Sequence, residues 1–204
     1  RSQMVLEIGC GSDQYIRDNL AAGVIWEGLD VQETDSRGRR TVATQIGSVG
    51  CIPFDDLKFD YVVSNQSIEH WTEYGVSLRL GLSEITRVLR IGGRAYLNFP
   101  LYLHGDPIFV KGNIERLIGQ LDTASVVVKS ITAYLSSREK NYPGWRKCGF
   151  PDFYIRRNSR TKTSFVVELV LEKISRGRGN TGPKCISSRL RKRSRAKLAI
   201  RHGL

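Results

Sequence analysis

The stretch VLEIGCGSD, residues 5–13, decides the fold of this chain. Its first residues belong to an apolar run at 4–8 that is followed by a glycine, which predicts a central parallel strand. Gly9 and Gly11 then allow a sharp turn and leave the backbone open to a ligand, because no Cβ intervenes. Asp13 stands where the N-cap of a following helix is expected. The opening of the chain therefore predicts a strand, a ligand-binding turn and a helix.

Strands and helices alternate through the first hundred residues. We predict a helix that ends at Gly23, strands at 24–31, 59–64 and 94–99, a polar connection at 32–45 and a helix at 76–90. Because crossovers between parallel strands are right-handed, this order predicts a Rossmann-like, mostly parallel α/β sheet with helices on both faces. Further along the chain we expect a short helix at 113–121, an irregular aromatic loop at 136–162 and a strand at 163–174.

Positive charge is concentrated at the carboxyl end of the chain. The formal net charge is +12, yet residues 173–204 hold eleven Lys or Arg and no acid, so residues 1–172 carry 21 basic and 20 acidic side chains. Large apolar residues are also few after Lys173. We therefore predict a folded domain at 1–174 and a basic, disordered tail at 175–204.

The bulk composition favours a globular protein of one domain. A length of 204 residues is enough for a hydrophobic core. No apolar run approaches the roughly 20 residues that a transmembrane helix needs, and no signal peptide is visible at the start. The four cysteines form no CxxC pair and no His lies at ligand spacing, so we expect free thiols, no metal site and a cytoplasmic location.

An acid at the end of the second strand extends the ligand hypothesis. Asp30 follows Gly9 by 21 residues, which is about the distance at which an acid reaches a ribose hydroxyl in nucleotide-binding βαβ units. A dinucleotide motif would also have a small residue at position 14, where this chain has Gln14. Glu7 would repel a pyrophosphate and attract a cation. S-adenosylmethionine, with a ribose, a sulfonium and an α-ammonium group, has the required character.

Three segments together resemble the class I S-adenosylmethionine-dependent methyltransferases. VLEIGCGSD is similar to their first motif, IPFDDLKFDYVVSNQSIEHW at 52–71 to the segment around their fourth strand, and SEITRVLRIGG at 83–93 to the segment before their fifth strand. The resemblance covers about residues 4–100. Three features depart from the family pattern: Asp13 replaces a third glycine, Ser48 replaces an acid, and the N-terminal helix that commonly covers the site is absent.

The resemblance implies a set of residues that bind S-adenosylmethionine. The residues expected at the methionine end of the cofactor are Glu7, Gly9, Cys10 and Gly11. Asp30 is expected to bind the ribose hydroxyls, and Val31, Ser48 and Val49 are expected at the adenine. Asn65 and Gln66 are expected near the reacting methyl group.

The methyl acceptor is expected over the ends of the fourth and fifth strands. His70 is the candidate catalytic base, because an imidazole titrates near neutral pH; the alternative is that it only packs or holds a loop. His104, Asp106 and Trp145 are candidate acceptor contacts. A similarity of this region to methyltransferases of bacterial polysaccharide synthesis suggests a sugar hydroxyl as the acceptor, within the broader class of small molecules and glycans.

Two other functions remain open from the sequence. The basic tail could recruit RNA or a protein substrate through phosphate or acidic contacts, although no nucleic-acid-binding module is recognisable. Alternatively, Asp13, Ser48 and the absent helix could mark a degenerate domain that binds partners without catalysis.

Overall fold

The structure is a computed structural model that describes residues 1–35, 37–100, 118–137, 144–148 and 165–175. In chain order its elements are β1 (Met4–Ile8), α1 (Tyr15–Asp18), β2 (Ile25–Asp30), β3 (Gln45–Ile46), β4 (Phe59–Asn65), a 3₁₀ helix (Ile68–Tyr74), α2 (Leu78–Val88), β5 (Leu89–Pro100), β6 (Val126–Ser137), β7 (Gly144–Cys148) and β8 (Phe165–Lys173). Within these described ranges, no helix has the length and apolar character needed to cross a membrane.

One sheet of eight strands organises the molecule, in the order β3-β2-β1-β4-β5-β8-β6-β7. The first five strands in this order pair in parallel. The remaining three pair antiparallel with their neighbours. The sequence prediction of a mostly parallel, Rossmann-like α/β fold is confirmed.

The parallel half of the sheet has a buried face, to which β1 contributes alternate side chains. Side chains alternate along a strand, so Leu6 and Ile8 enter the main hydrophobic cluster, which also contains residues of α2. Glu7 points to the opposite face. α2 begins at the N-cap Ser77, whose hydroxyl accepts a hydrogen bond from the Leu80 N–H at 3.2 Å, and it packs its apolar stripe onto this cluster.

Arg87 on α2 holds the connection that leads into β4. Its guanidinium donates to the carbonyl oxygens of Ile52 and Phe54, each at 2.8 Å, and forms ion pairs with Glu84 and Asp56. The segments that carry the family resemblance before β4 and β5 are therefore joined by this one side chain. Their residues have a structural reason to occur together.

Local structure differs from the sequence prediction at both ends of this half. α1 is only four residues long, although a helix reaching Gly23 was expected. β5 begins at Leu89, whereas the prediction continued the helix to residue 90 and began the strand at residue 94. The reason is a bulge opposite Phe59 and Tyr61, where Arg90 donates to the Leu57 carbonyl and to Asp60. These contacts hold the chain extended.

The antiparallel half contains strands that the sequence prediction lacked. β6 was not predicted, and β7 lies inside the segment 136–162 that was expected to be an irregular loop. Both are paired, since Ala133 lies opposite Cys148 and Ser137 opposite Gly144. A strand within 163–174 was predicted, and β8 confirms it.

Lys173 ends β8 and belongs to the folded domain. Its side chain is 2 % exposed, and its Nζ donates to the carbonyl oxygens of Thr86 at 2.7 Å and Leu89 at 2.9 Å. Carbonyls at a helix C-terminus lack intrahelical partners and carry partial negative charge. Lys173 therefore caps α2 from the neighbouring half of the sheet.

The expectation of four free cysteines is wrong. Cys10 has a free thiol, but Cys51 is disulfide-bonded. The cysteine pattern therefore gives no support to a reducing compartment.

Candidate functional site

The carboxyl ends of the parallel strands meet at one edge of the sheet. Ile8 lies beside Leu29 and Ser64 in neighbouring strands, and Asn65 lies beside Asn98. Crevices outside this edge are where open α/β sheets bind ligands. The predicted residues Glu7, Gly9, Cys10, Gly11, Asp30, Asn65 and Gln66 all lie on this edge.

Gly9 and Gly11, the two glycines of the first turn, differ in what surrounds the position that a Cβ would occupy. Both adopt the left-handed backbone conformation, with φ +71° at Gly9 and +56° at Gly11. A Cβ on Gly9 would lie 2.5 Å from the Cβ of Ser67, so this position is filled by protein. Among the described residues, no atom lies within 4 Å of a Cβ placed on Gly11. Of these two glycines, Gly11 is therefore the one at which the described residues leave open space.

Asp30 binds the glycine turn from the end of β2. Its carboxylate accepts hydrogen bonds from the Gly11 N–H at 2.9 Å and from the Gln32 N–H at 3.2 Å. The Gly11 carbonyl in turn accepts from the Val42 N–H at 2.8 Å. The N–H of Gly11 is thus engaged by Asp30, and the carboxylate is held at the turn.

Glu7 is a buried carboxylate beside the same turn. It is 7 % exposed, and the indole Nε1–H of Trp26 donates to its Oε2 at 3.0 Å. Burial raises the pKa of Glu7; the Trp26 hydrogen bond acts in the opposite direction, and the charge of Asp13 adds to the increase. A cationic ligand group placed here would offset the cost of burying the charge.

Cys10 provides an apolar surface within the turn. The residue is 4 % exposed. Burial first, and then the charges of Asp30 and Glu7, raise the pKa of its thiol to about 12. The thiol therefore stays neutral at physiological pH and packs, since a nucleophilic cysteine needs a lowered pKa.

A second left-handed turn follows β4. Gln66 has φ +52° without being glycine, a conformation that costs energy and that often marks a functional site. Its N–H donates to the Asn98 carbonyl at 2.8 Å, and its side-chain amide donates to the Asn98 side chain. Next to it, Ser67 shares a 2.8 Å hydrogen bond with Ser64 and donates to the Ile8 carbonyl.

The predicted adenine residues have mixed surroundings. Val31 is partly exposed just beyond Asp30. The Ser48 hydroxyl accepts a hydrogen bond from the Gly50 N–H at 3.1 Å, so it forms a local turn. Val49 is 5 % exposed and belongs to the hydrophobic core. Val31 therefore offers more surface to a ligand than Val49 does.

The 3₁₀ helix after β4 places two titratable residues side by side in different surroundings. His70 is partly exposed, and its Nδ1 lies 3.1 Å from Glu73 Oε1. Glu69 is 2 % exposed, and among the described residues its Oε2 is buried without a hydrogen-bond partner. Burial raises the pKa of Glu69, and the charge of Glu73 adds to it, while its own N–H and His70 oppose the increase.

Of the three predicted acceptor contacts, only Trp145 lies among the described residues. His104 and Asp106 lie outside the described residues. The backbone of Trp145 lies in β7, the last strand of the antiparallel half, whereas the glycine turn lies in the parallel half. Their roles stay predictions.

Sequence reasoning missed three residues whose side chains contact the predicted site residues: Trp26, Ser67 and Asn98. Trp26 shares a face of β2 with Asp30, because the two are separated by an even number of residues. That spacing was visible in the sequence. Ser67 and Asn98 make contacts across 58 and 32 residues of chain, and no local pattern signals such pairs.

Known proteins share both sequence and fold with this chain. Residues 6–97 match the family model described as "Methyltransferase domain". The uncharacterized protein YafE of Escherichia coli strain K12 is 38 % identical over 86 residues, which are 41 % of this chain and 40 % of that protein. The alignment thus spans less than half the length of this curated relative.

Solved structures extend the similarity to most of the chain. YcgJ of Bacillus subtilis is 14 % identical with a TM-score of 0.55, over 84 % of this chain and 92 % of that one. A SAM-dependent methyltransferase of Aquifex aeolicus is 15 % identical with a TM-score of 0.51, over 82 % and 81 %. At such identities the likeness concerns the fold.

Proposed function

We propose that this chain binds S-adenosylmethionine at its glycine turn and methylates a small-molecule hydroxyl, because residues 6–97 match the methyltransferase-domain family model and the chain has the class I fold. A sugar hydroxyl is the acceptor we favour within that class. The observation that carries the proposal is the open space that the described residues leave at Gly11, whose N–H donates to Asp30, in the turn that follows the buried carboxylate Glu7.

The residues at the turn fit the charges and hydroxyls of this cofactor. Glu7, buried and with a raised pKa, suits the α-ammonium group, whose positive charge would stabilise the ionised carboxylate. Asp30 accepts two backbone hydrogen bonds at 2.9 and 3.2 Å, and its oxygens have further lone pairs for ribose hydroxyls. Val31, partly exposed, would contact the adenine.

The chain's own contribution to the chemistry is mainly alignment. When bound, the sulfonium of the cofactor supplies an electrophilic methyl group and a good leaving group. The turns after β1 and β4 would orient the reactants, which can account for much of the acceleration of such a displacement. His70 would accept the proton of the acceptor hydroxyl, and Glu73, 3.1 Å from Nδ1, would orient its ring.

Calorimetric titration with S-adenosylmethionine tests the binding part of the proposal. We expect saturable binding at one site per chain. Methyl-labelled cofactor incubated with fractionated cell extract would then identify the acceptor, and label in a small-molecule fraction is the expected result. Absence of binding would contradict the proposal, and label only in RNA or protein would overturn the small-molecule acceptor.

The role of His70 has a separate test. We expect His70→Ala to lower kcat by about 100-fold or more, because a general base contributes about 10²–10⁴-fold, while the Kd for S-adenosylmethionine stays within about twofold. Thr72→Ala, on the same 3₁₀ helix, is the matched control. An unchanged kcat in His70→Ala would remove the base from the mechanism.

A further inference from the structure

Trp26 donates a hydrogen bond to the buried carboxylate of Glu7. It lies on β2, one strand away from Glu7, and its Nε1–H donates to Glu7 Oε2 at 3.0 Å. We propose that Trp26 is a positioning residue, which holds the Glu7 carboxylate ionised and oriented to receive the α-ammonium group of the cofactor. The inference rests on the proposed function and deepens it.

Gly28 provides the space that the indole needs. Gly28 lies directly opposite Glu7 in the pairing of β1 with β2. A Cβ on Gly28 would lie 2.5 Å from Trp26 Cη2, 2.8 Å from Cζ2 and 3.0 Å from Cys10 Sγ. Contacts this short do not occur. The ring therefore occupies the space in which a Gly28 Cβ would stand, and its Nε1–H reaches Glu7.

Arg17 covers the indole from the outside. Its guanidinium carbon lies 5.8 Å from the ring centroid, within the range of a cation–π contact. The ring thus lies against Gly28 of β2 and against the guanidinium of Arg17. A donor restrained from both sides can select which oxygen of Glu7 faces the indole and which faces the ligand.

The charges around Glu7 make this donor important. Asp13, before α1, disfavours the ionised form, and so does burial; the indole N–H favours it. Cys10 and Asp30 lie close by, and Cys10 is a neutral thiol. Arg17 lies over the far side of the indole. Removing the N–H would therefore raise the pKa of Glu7 further and would also release its orientation.

Trp26→Phe is the direct test, because it keeps an aromatic ring and removes the N–H. We expect the Kd for S-adenosylmethionine to rise roughly tenfold at pH 8, as for loss of one hydrogen bond to a charged group. The rise should be larger at pH 6, because the higher pKa of Glu7 in the variant leaves less of the carboxylate ionised there. Methylthioadenosine lacks the amino-acid portion, so its Kd should stay within about twofold. Trp71→Phe is the control, since its Nε1 donates to Ser67 instead, and it should leave the ratio of the two Kd values unchanged.

A spectroscopic measurement covers the case in which Trp26→Phe does not fold. The indole N–H resonance of Trp26 should titrate with pH in the wild-type protein, with a midpoint above the ordinary glutamate range, and Glu7→Gln should abolish that titration. A pH-independent resonance would overturn the inference.

The outcomes separate this inference from the proposed function. Failure of the wild-type protein to bind S-adenosylmethionine would contradict the proposed function. Normal wild-type binding with an equal rise of both Kd values in Trp26→Phe, or with no rise, would overturn only the role of Trp26.

Discussion

The turns after β1 and β4 are neighbours on the sheet and reach the same backbone conformation by different means. After β1, Gly9 and Gly11 adopt positive φ because they have no Cβ. After β4, Gln66 adopts φ +52° and is held there by Asn98. Ser67 of the second turn fills the space beside Gly9. The first turn thus leaves open space at Gly11 among the described residues, and the second turn packs against the first at Gly9.

Buried carboxylates show the same contrast. Glu7, at the first turn, has the indole N–H of Trp26 as a partner. Glu69, beyond the second turn, has a buried oxygen without a hydrogen-bond partner in the described part of the chain. Burial raises the pKa of both. We infer that the first carboxylate is prepared for a cation, whereas the second costs stability.

The largest expected effect comes from replacing the glycine that the second turn contacts. Gly9→Ala should lower the free energy of unfolding by about 3 kcal/mol, because the left-handed conformation costs about 1 kcal/mol and overpacking against Ser67 costs about 1–3 kcal/mol more. Urea denaturation measures this change.

Gly11→Ala is the matched control for that experiment. This substitution should lower the free energy of unfolding by about 1 kcal/mol, the conformational part alone. It should also raise the Kd for S-adenosylmethionine by roughly tenfold or more, since its Cβ enters the proposed ligand space. Equal losses of stability in the two variants would contradict the conclusion that Gly9 packs against Ser67 whereas Gly11 does not pack against the described residues.

An intermediate effect is expected at Glu69. Glu69→Gln should raise the free energy of unfolding by about 1–2 kcal/mol at pH 7.5, because it removes the cost of burying a carboxylate of which one oxygen has no hydrogen-bond partner among the described residues. The native protein binds this proton more tightly than the unfolded chain does. The wild-type protein therefore loses stability as pH rises from the unfolded pKa through the raised folded pKa.

The gain from Glu69→Gln should accordingly be absent at pH 4 and grow with rising pH. Thermal unfolding at a series of pH values measures it. Glu73→Gln, whose side chain is 47 % exposed, should show a much smaller dependence on pH. A destabilised Glu69→Gln at pH 7.5 would indicate that the carboxylate has a stabilising partner.

The early motif was readable from sequence because its causes are local. Gly9, Gly11 and the acid at position 30 follow from strand ends and spacing, and both the strand at 4–8 and the parallel order were predicted correctly. β7 was missed since residues 144–148 form a strand only by pairing with β6. The turn at Gln66 was missed for a similar reason: its conformation depends on Asn98, 32 residues away.

The smallest expected effect concerns that long-range pair. Asn98→Ala removes the side-chain acceptor of the Gln66 amide and should lower the free energy of unfolding by about 0.5–1 kcal/mol. Gln66→Ala should cost about the same, and the double variant should cost little more than either alone. Additive losses in this double-mutant cycle would show that the two side chains do not support each other.

A crystal structure of the chain with S-adenosylhomocysteine tests the central claim most directly. We predict that the ligand lies over Gly11, with its ribose hydroxyls on Asp30 and its ammonium group on Glu7. A ligand bound elsewhere, or a Glu7 carboxylate that contacts only Trp26 while the ligand is present, would contradict this account.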